Sequence, residues 1–181
     1  MAGVVQRAND KLADLIENNL ELDGMGTTFS GAAFSGTMLG VAHIGDSRGY
    51  LLRDGELKQL THDHSWVQSL IDEGRITPEQ AATHPHRSLI LKVLNGAGDT
   101  DPDFFELPVQ EGDRVLFCSD GLSGLMSEDD LHELMSLDDL DECVSRLSAL
   151  ANEHGGHDNI SLVLAQDRKS TRLNSSHVKL S

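Results

Sequence analysis

The chain has 181 residues, of which 38% are hydrophobic and 24% charged, as expected for a globular protein with a buried core. Its formal net charge of −16 disfavours binding to nucleic acid or to an anionic membrane, because both attract basic proteins. No run of 18 apolar residues occurs, so we predict no membrane span, and we recognise no signal peptide. The two cysteines, Cys118 and Cys143, lack the spacing of a zinc site and favour a reducing compartment.

The first part of the chain predicts one helix and two hairpins. Apolar residues recur every three or four positions over about residues 3–20, which is typical of an amphipathic helix. The short link Ser35-Gly36 and the dipeptide Asp54-Gly55 each separate two β-like runs and indicate hairpins. The predicted strands are 27–34, 37–44, 49–53 and 56–60.

Helical signals then interrupt the strands. A helix is predicted over 64–72, and Thr77 followed by Pro78 has the pattern of an N-cap and first helical position. Further strands are predicted at 104–107, 114–119 and 160–165, with helices from 127 and over 138–152. Because the helices are grouped and the strands form hairpins, the predicted class is α+β, with antiparallel sheets covered by helices.

Two aspartates occupy glycine-flanked turns at strand ends. Asp120 follows the apolar run 115–118, and Asp158 precedes the run 160–164. Asp46 follows another strand. Carboxylates held at the rim of a sheet are hard oxygen ligands suited to Mg²⁺ or Mn²⁺. The competing interpretation is that each aspartate is only a turn residue that bonds to its own backbone.

The histidines and Cys118 are not predicted to be metal ligands or nucleophiles. We expect His62 and His64 to be solvated caps rather than metal ligands, and His84 and His86 to orient the segment around Pro85. Cys118 is expected to fill the core rather than to act as a nucleophile.

Seven short segments occur in a fixed order over about residues 3–165. They are 24–28 (GMGTT), 43–48 (HIGDSR), 60–65 (LTHDHS), 74–77 (GRIT), 84–87 (HPHR), 117–122 (FCSDGL) and 158–159 (DN). Together they resemble the bacterial type of the metal-dependent protein serine/threonine phosphatases called PP2C. The resemblance implies a four-layer α-β-β-α sandwich of two antiparallel sheets. It also implies hydrolysis of phosphoserine and phosphothreonine by water that two Mn²⁺ or Mg²⁺ ions activate.

The same resemblance implies roles for individual residues. Asp120 and Asp158 match ligands of the metal pair, and Asn159 matches a residue that can hydrogen-bond a bound water. Asp46 matches the aspartate that, with Asp120, holds a weaker third metal. Residues 64–91 match a mobile flap beside the active site, in which Ser65, His84 and Arg87 are expected to contact substrate.

Phosphoproteins are the implied partners, chiefly serine/threonine kinases and their substrates, and the implied location is the cytoplasm. Nucleic acid and membrane are not expected as partners of this segment.

The chain departs from the family at its front. The family's first strands carry an acidic motif and an Asp-Gly-Met-Gly-Gly motif, which supply a bridging aspartate, and we find neither here. Asp23 in Asp23-Gly24-Met25-Gly26 imitates the second motif, but its place after the helix assigns it to a later one. We therefore expect residues 1–166 to be a partial domain that lacks the first strands, with a half-formed metal site and impaired activity.

Residues 167–181 differ from the rest of the chain. They lack periodicity, and Asp167–His177 resembles the read-through translation of a sequencing adapter. We therefore interpret it as an adapter-derived tail that is left out of the reasoning about the fold. The alternative is a natural basic tail.

Two other interpretations remain open. The chain could be a non-catalytic PP2C-like domain that binds phosphoproteins or another partner, or a calcium-stabilised α+β domain that accounts only for Asp120 and Asp158.

Overall fold

The computed structural model describes residues 2–98, 100–156 and 158–167, together with the backbone of 177–180. The helices are α1 (Ala2–Asn18), α2 (Trp66–Asp72), α3 (Pro78–Ala82), α4 (Asp120–Ser123), α5 (Glu128–Met135) and α6 (Leu140–Glu153). The strands are β1 (Phe29–Ser35), β2 (Met38–Ile44), β3 (Arg48–Arg53), β4 (Glu56–Gln59), β5 (Asp103–Pro108), β6 (Arg114–Cys118), β7 (Leu162–Gln166) and β8 (His177–Leu180). The strands form two antiparallel sheets, which confirms the predicted α+β class. Within the described part of the chain, no helix has the length and apolar character needed to cross a membrane.

The chain divides into two compact units. The first comprises Met1–Asp46 and Asp63–Leu107, and its sheet has the strand order β1-β2-β5. Its small core joins α1 to β2 and to the segment before β5, and it contains Val5, Ala42, Ile44 and Leu94. The predicted apolar face of the first helix is only partly used, because Leu15 remains exposed, as does Leu20, which lies beyond the end of α1.

The second unit comprises Ser47–His62 and Pro108–Ser181, with the strand order β4-β3-β6-β7-β8. The β3–β4 hairpin turns at Asp54 and Gly55, whose φ angles of 51° and 78° both lie in the left-handed region. That backbone is what a two-residue hairpin favours, so the Asp-Gly signal predicted this turn. Helices α4, α5 and α6 share the larger core with β6 and β7, and Leu116 and Leu164 are fully buried there.

Two adjacent charged residues stabilise the second unit from inside. Asp113 is buried and accepts hydrogen bonds from Nε and Nη2 of Arg53, at 2.8 and 2.6 Å, and from the backbone N–H of Gln110. This carboxylate raises the pKa of Arg53 through its hydrogen bond. Arg114, also buried, donates to the backbone oxygens of Met135 (2.6 Å), the last residue of α5, and of Leu137 and Asp138 (3.2 Å) just beyond it. A cation at this end of a helix satisfies carbonyls that have no partner within the helix.

The end of the chain is only partly described. The backbone N–H of Asp167 donates to the backbone oxygen of Asp113 at 2.9 Å, and β8 lies antiparallel to β7. Residues 168–176 and 181 lie outside the described residues. The interpretation of 167–181 as an adapter-derived tail therefore stays a prediction, although the backbone of 177–180 extends the second sheet.

We predict that Asp113→Ala lowers the free energy of unfolding by about 2–3 kcal/mol, because Arg53 and the Gln110 amide lose a charged acceptor. Urea denaturation followed by circular dichroism would measure the change. The control is Glu73→Ala, which breaks the exposed Arg75–Glu73 pair and should cost less than about 0.5 kcal/mol. Equal losses in the two variants would contradict the role given to Asp113.

Candidate metal centre

Asp120 lies where β6 ends and α4 begins. Ser119 adopts an extended conformation as the N-cap, and Asp120 is the first residue of the short helix Asp120–Ser123. The sequence predicted a tight turn at this point, whereas the structure has one helical turn. The side chain of Asp120 is exposed, so its carboxylate is accessible to a cation.

Asp158 and Asn159 lie in the loop between α6 and β7. Both residues are exposed. The backbone N–H of Asn159 donates to Oδ1 of Asp158 at 2.7 Å, which fixes one oxygen of this carboxylate against its own turn. The other carboxylate oxygen of Asp158 and the Asn159 amide are polar groups that this loop offers to a ligand.

Ser119 brings the two loops together. Its backbone N–H donates to the oxygen of Ser161 at 2.9 Å, and its hydroxyl donates to the backbone oxygen of Asn159 at 2.9 Å. The same hydroxyl accepts from the N–H of Ser161 at 3.0 Å. These bonds continue the β6–β7 ladder beyond its last pair, Cys118 with Leu162. No role was predicted for Ser119 from the sequence, although its position directly before Asp120 was a usable signal.

Gly121 makes the contact between the loops possible. A Cβ at this position would lie 2.4 Å from the backbone oxygen of Asn159 and 3.4 Å from the carbonyl carbon of Asp158. Any side chain would therefore push the Asp120 loop away from the Asp158 loop.

The donor chemistry suits a hard cation, but the number of donors is small. Asp120, Asp158 and Asn159 offer carboxylate and amide oxygens, which Mg²⁺ and Mn²⁺ prefer. Among the described residues, no three His, Cys, Asp or Glu side chains are grouped closely enough to hold a metal ion. These residues therefore fit an ion that takes most of its ligands from water.

Asp46 lies in the other unit, in the turn between β2 and β3, and is half-buried. Gly45 precedes it with φ 110°, and a Cβ there would come within 2.3 Å of Cγ2 of Thr28. The turn therefore requires glycine before the aspartate, which explains the Gly45-Asp46 pair in the sequence.

The predicted flap, residues 64–91, contains α2 and α3 and closes on itself. The backbone N–H of Leu91 donates to the backbone oxygen of His64 at 2.7 Å, and the N–H of Trp66 donates to the backbone oxygen of Leu89 at 2.9 Å. Ser65 is buried, and its hydroxyl caps α2 by accepting from the N–H of Gln68.

His84 and Arg87 lie near the far end of the flap. The ring of His84 packs against that of Trp66, with centroids 5.1 Å apart, and its Nδ1 accepts from the N–H of His86. Arg87 is exposed. Of the three predicted substrate residues, Ser65 is thus buried, His84 is held against Trp66 and Arg87 is open to solvent.

One prediction about the histidines is wrong. His62 is exposed, but His64 is buried rather than a solvated cap. Its ring lies 5.0 Å from that of His43, which is also fully buried. Residues two apart share a side of an extended segment, so the spacing does not separate the two histidines. His64 is buried because its ring contacts Gly45 and Asp103, which are distant in sequence.

Cys118 has no nucleophilic character. Burial raises the pKa of its thiol to about 12, so the thiol stays protonated at neutral pH. Burial also raises the pKa of Cys143, and neither cysteine forms a disulfide. The prediction that Cys118 fills the core is consistent with both observations.

Comparison with known proteins connects this geometry to a family. The family model described as protein phosphatase 2C matches residues 3–165. The serine/threonine protein phosphatase PstP of Mycobacterium tuberculosis is 47% identical over 161 residues, which are 89% of this chain and 31% of that protein. The serine/threonine phosphatase stp of Listeria monocytogenes is 37% identical over 167 residues, 90% of this chain and 65% of that protein.

Solved structures give the same result. A crystal structure of the M. tuberculosis phosphatase PstP superposes with a TM-score of 0.90 at 45% identity, covering 93% of this chain and 71% of that one. A structure of the PstP catalytic domain in complex with two manganese ions has a TM-score of 0.83 at 44% identity, covering 89% and 67%. The chain thus spans about a third of the length of the mycobacterial protein and about two thirds of the Listeria protein.

We predict that Gly121→Ala destabilises the protein by about 1–3 kcal/mol, because the new methyl group must displace the Asn159 carbonyl. Thermal or urea denaturation would measure this loss. Gly98→Ala is the matched control, since a Cβ there meets no atom within 4 Å and should change stability by less than about 0.5 kcal/mol. If the two variants were equally stable, the two loops would not be in the contact described.

A second prediction concerns alkaline pH. The folded pKa of Cys118 is raised from 9.0 to about 12, so its contribution to stability is complete below pH 9 and is lost as the pH rises towards 12. Relative to Cys118→Ala, the wild type should lose free energy of unfolding between pH 9 and 11, by at most about 1.4 kcal/mol per pH unit. Urea denaturation at each pH measures this difference. The contribution of Cys143 to the pH dependence is the same in both proteins, because both retain it. Parallel pH profiles would contradict the burial of the Cys118 thiol.

Proposed function

This chain belongs to the protein phosphatase 2C family, and on that premise we propose that the protein hydrolyses phosphoserine and phosphothreonine in other proteins. The observation that carries the proposal is the contact between the Asp120 and Asp158 loops, joined by Ser119 at 2.9 Å to the Asn159 oxygen. Family membership gives these aspartates a role, and the contact between their loops adds that the two loops are neighbours at the end of the β6–β7 ladder. This proximity supports both aspartates as ligands of a common cation.

We propose Asp120 and Asp158 as ligands of Mn²⁺ or Mg²⁺, and Asp46 as a ligand of a weaker third ion. When bound, such ions activate water and neutralise the charge of phosphoryl oxygens. The protein holds the Asp158 carboxylate in place through the Asn159 N–H, and the Asp120 loop through Ser119. Asn159 can orient a water through its exposed amide. The structure of the related PstP catalytic domain in complex with two manganese ions supports the choice of metal.

The flap residues divide into two kinds in this proposal. Ser65 acts indirectly, because its hydroxyl already caps α2. Arg87 is exposed and permanently charged, so it can attract the phosphate of a phosphoprotein, and His84 can contact the neighbouring peptide. We propose residues 64–91 as the flap of a partial domain that extends to residue 166.

We further propose serine/threonine kinases and their substrates as the phosphoprotein partners, and the cytoplasm as the location. The support is the pair of free, buried cysteines, which suits a reducing compartment. A strongly acidic chain is also poorly matched to nucleic acid.

The alternative is a non-catalytic domain that binds phosphoproteins. One observation favours it, namely that the described residues contain no group of three potential metal ligands. A water-filled half-site would bind a cation weakly and activate water poorly. The assay below separates the two functions, because only the enzyme gives metal-dependent turnover.

The test is hydrolysis of p-nitrophenyl phosphate by this chain at millimolar Mn²⁺. We expect slow turnover that EDTA removes and that Asp120→Asn lowers by about 10–100-fold, because the ion loses a direct ligand. A phosphothreonine peptide should be cleaved, and the same peptide with phosphotyrosine should not.

The matched control is Asp23→Asn, which changes the look-alike motif at an exposed turn and should leave turnover unchanged. Turnover that survives in Asp120→Asn would contradict the proposed site. If the wild type shows no turnover but still binds the phosphothreonine peptide, the non-catalytic alternative is correct.

A further inference from the structure

His64 is a buried histidine at the start of the flap, and the proposed chemistry does not use it. Its side chain is 7% exposed, and it bonds on three sides within the first unit. Nδ1 accepts from the backbone N–H of Gly45 at 3.2 Å, and Nε2 lies 3.2 Å from Oδ2 of Asp103. Its own backbone N–H donates to the Gly45 oxygen at 2.8 Å, and its backbone oxygen accepts from Leu91 at 2.7 Å.

These contacts join three parts of the first unit at one residue. Gly45 immediately precedes Asp46 in the turn after β2, Asp103 begins β5, and Leu91 is where the flap returns. On the next residue, Ser65 pairs with Ile90 in an isolated bridge. His64 therefore stands between the turn that carries Asp46 and the base of the flap.

The tautomer of His64 follows from its partners. A backbone N–H can only donate, so Nδ1 must carry the lone pair that faces Gly45. A neutral imidazole then has its proton on Nε2, which donates to the Asp103 carboxylate. Nδ1 thus accepts one hydrogen bond and Nε2 donates the other. Both hydrogen bonds are lost if the ring flips, because carbon atoms then occupy the two positions.

We propose that His64 is a positioning residue that fixes the Asp46 turn to the base of the flap, so that the two open and close together. This inference rests on the proposed function for the roles of Asp46 and the flap. In that setting a substrate that moves the flap also shifts the aspartate proposed for the third ion. The geometric part of the inference needs no bound metal and no turnover.

Two substitutions separate the two side-chain bonds. In His64→Asn the amide oxygen can take the place of Nδ1 and still accept from Gly45. In His64→Gln the amide nitrogen can take the place of Nε2 and reach Asp103, but nothing accepts from Gly45. The control is His62→Gln, which changes an exposed histidine two residues away.

Amide hydrogen exchange measured by NMR tests the coupling. We expect His64→Gln to accelerate exchange at both Gly45 and Leu91 by about three- to tenfold, the loss expected for one hydrogen bond. His64→Asn and His62→Gln should retain the wild-type protection at both amides. The proposal would be overturned if His64→Gln accelerated exchange at Gly45 but not at Leu91. It would also be overturned if His64→Asn and His64→Gln had equal effects.

A spectroscopic measurement on the wild type covers the case in which His64→Gln does not fold. Long-range ¹H–¹⁵N spectra of the imidazole distinguish the two neutral tautomers, and we expect the Nε2–H form for His64. The Nδ1–H form would overturn the proposal. Both readouts are independent of p-nitrophenyl phosphate hydrolysis, so failure of the phosphatase function and failure of this inference are distinguishable.

Discussion

The hydroxyl of Ser119 is the interaction on which the candidate site depends. It donates to the Asn159 oxygen and accepts from the Ser161 N–H, so one small side chain satisfies two backbone groups of the neighbouring loop. The β6–β7 ladder would otherwise end at Cys118 and Leu162, and the two loops beyond it could separate. Cys118 and Leu162 are buried in the larger core, and the hydroxyl joins the loops that carry Asp120 and Asp158 to this buried end of the ladder.

Much of the fold could be predicted because local signals agreed with the tertiary structure. Asp54-Gly55 formed the expected hairpin turn, and the capping boxes at Thr77 and Ser127 begin α3 and α5 as their sequences indicate. At Ser127 the hydroxyl also hydrogen-bonds Asp130 and lowers the pKa of that carboxyl. Such features depend on residues within three or four positions of one another, so a single sequence contains all the information they need.

What could not be predicted depends on contacts distant in sequence. The burial of His64 requires β2 and β5 around it, and Arg114 donates to backbone oxygens more than twenty residues later, at the end of α5. Neither residue has a local pattern that distinguishes it from a surface charge. The candidate site could be predicted only in part. The aspartates were recognisable by their glycine neighbours, whereas the roles of Ser119 and Gly121 depend on the packing of the two loops.

The closure of the flap at its base has a consequence for evolution. Residues 64–66 and 89–91 are joined by backbone bonds, so the segment between them begins and ends at nearly the same place. The entropy of closing such a loop grows only with the logarithm of its length, by about 0.6 kcal/mol for each doubling. Insertions, deletions or whole exchanges between these two anchors should therefore cost the rest of the fold little. The segment is a place where the length and composition of the chain can diversify while the core stays unchanged.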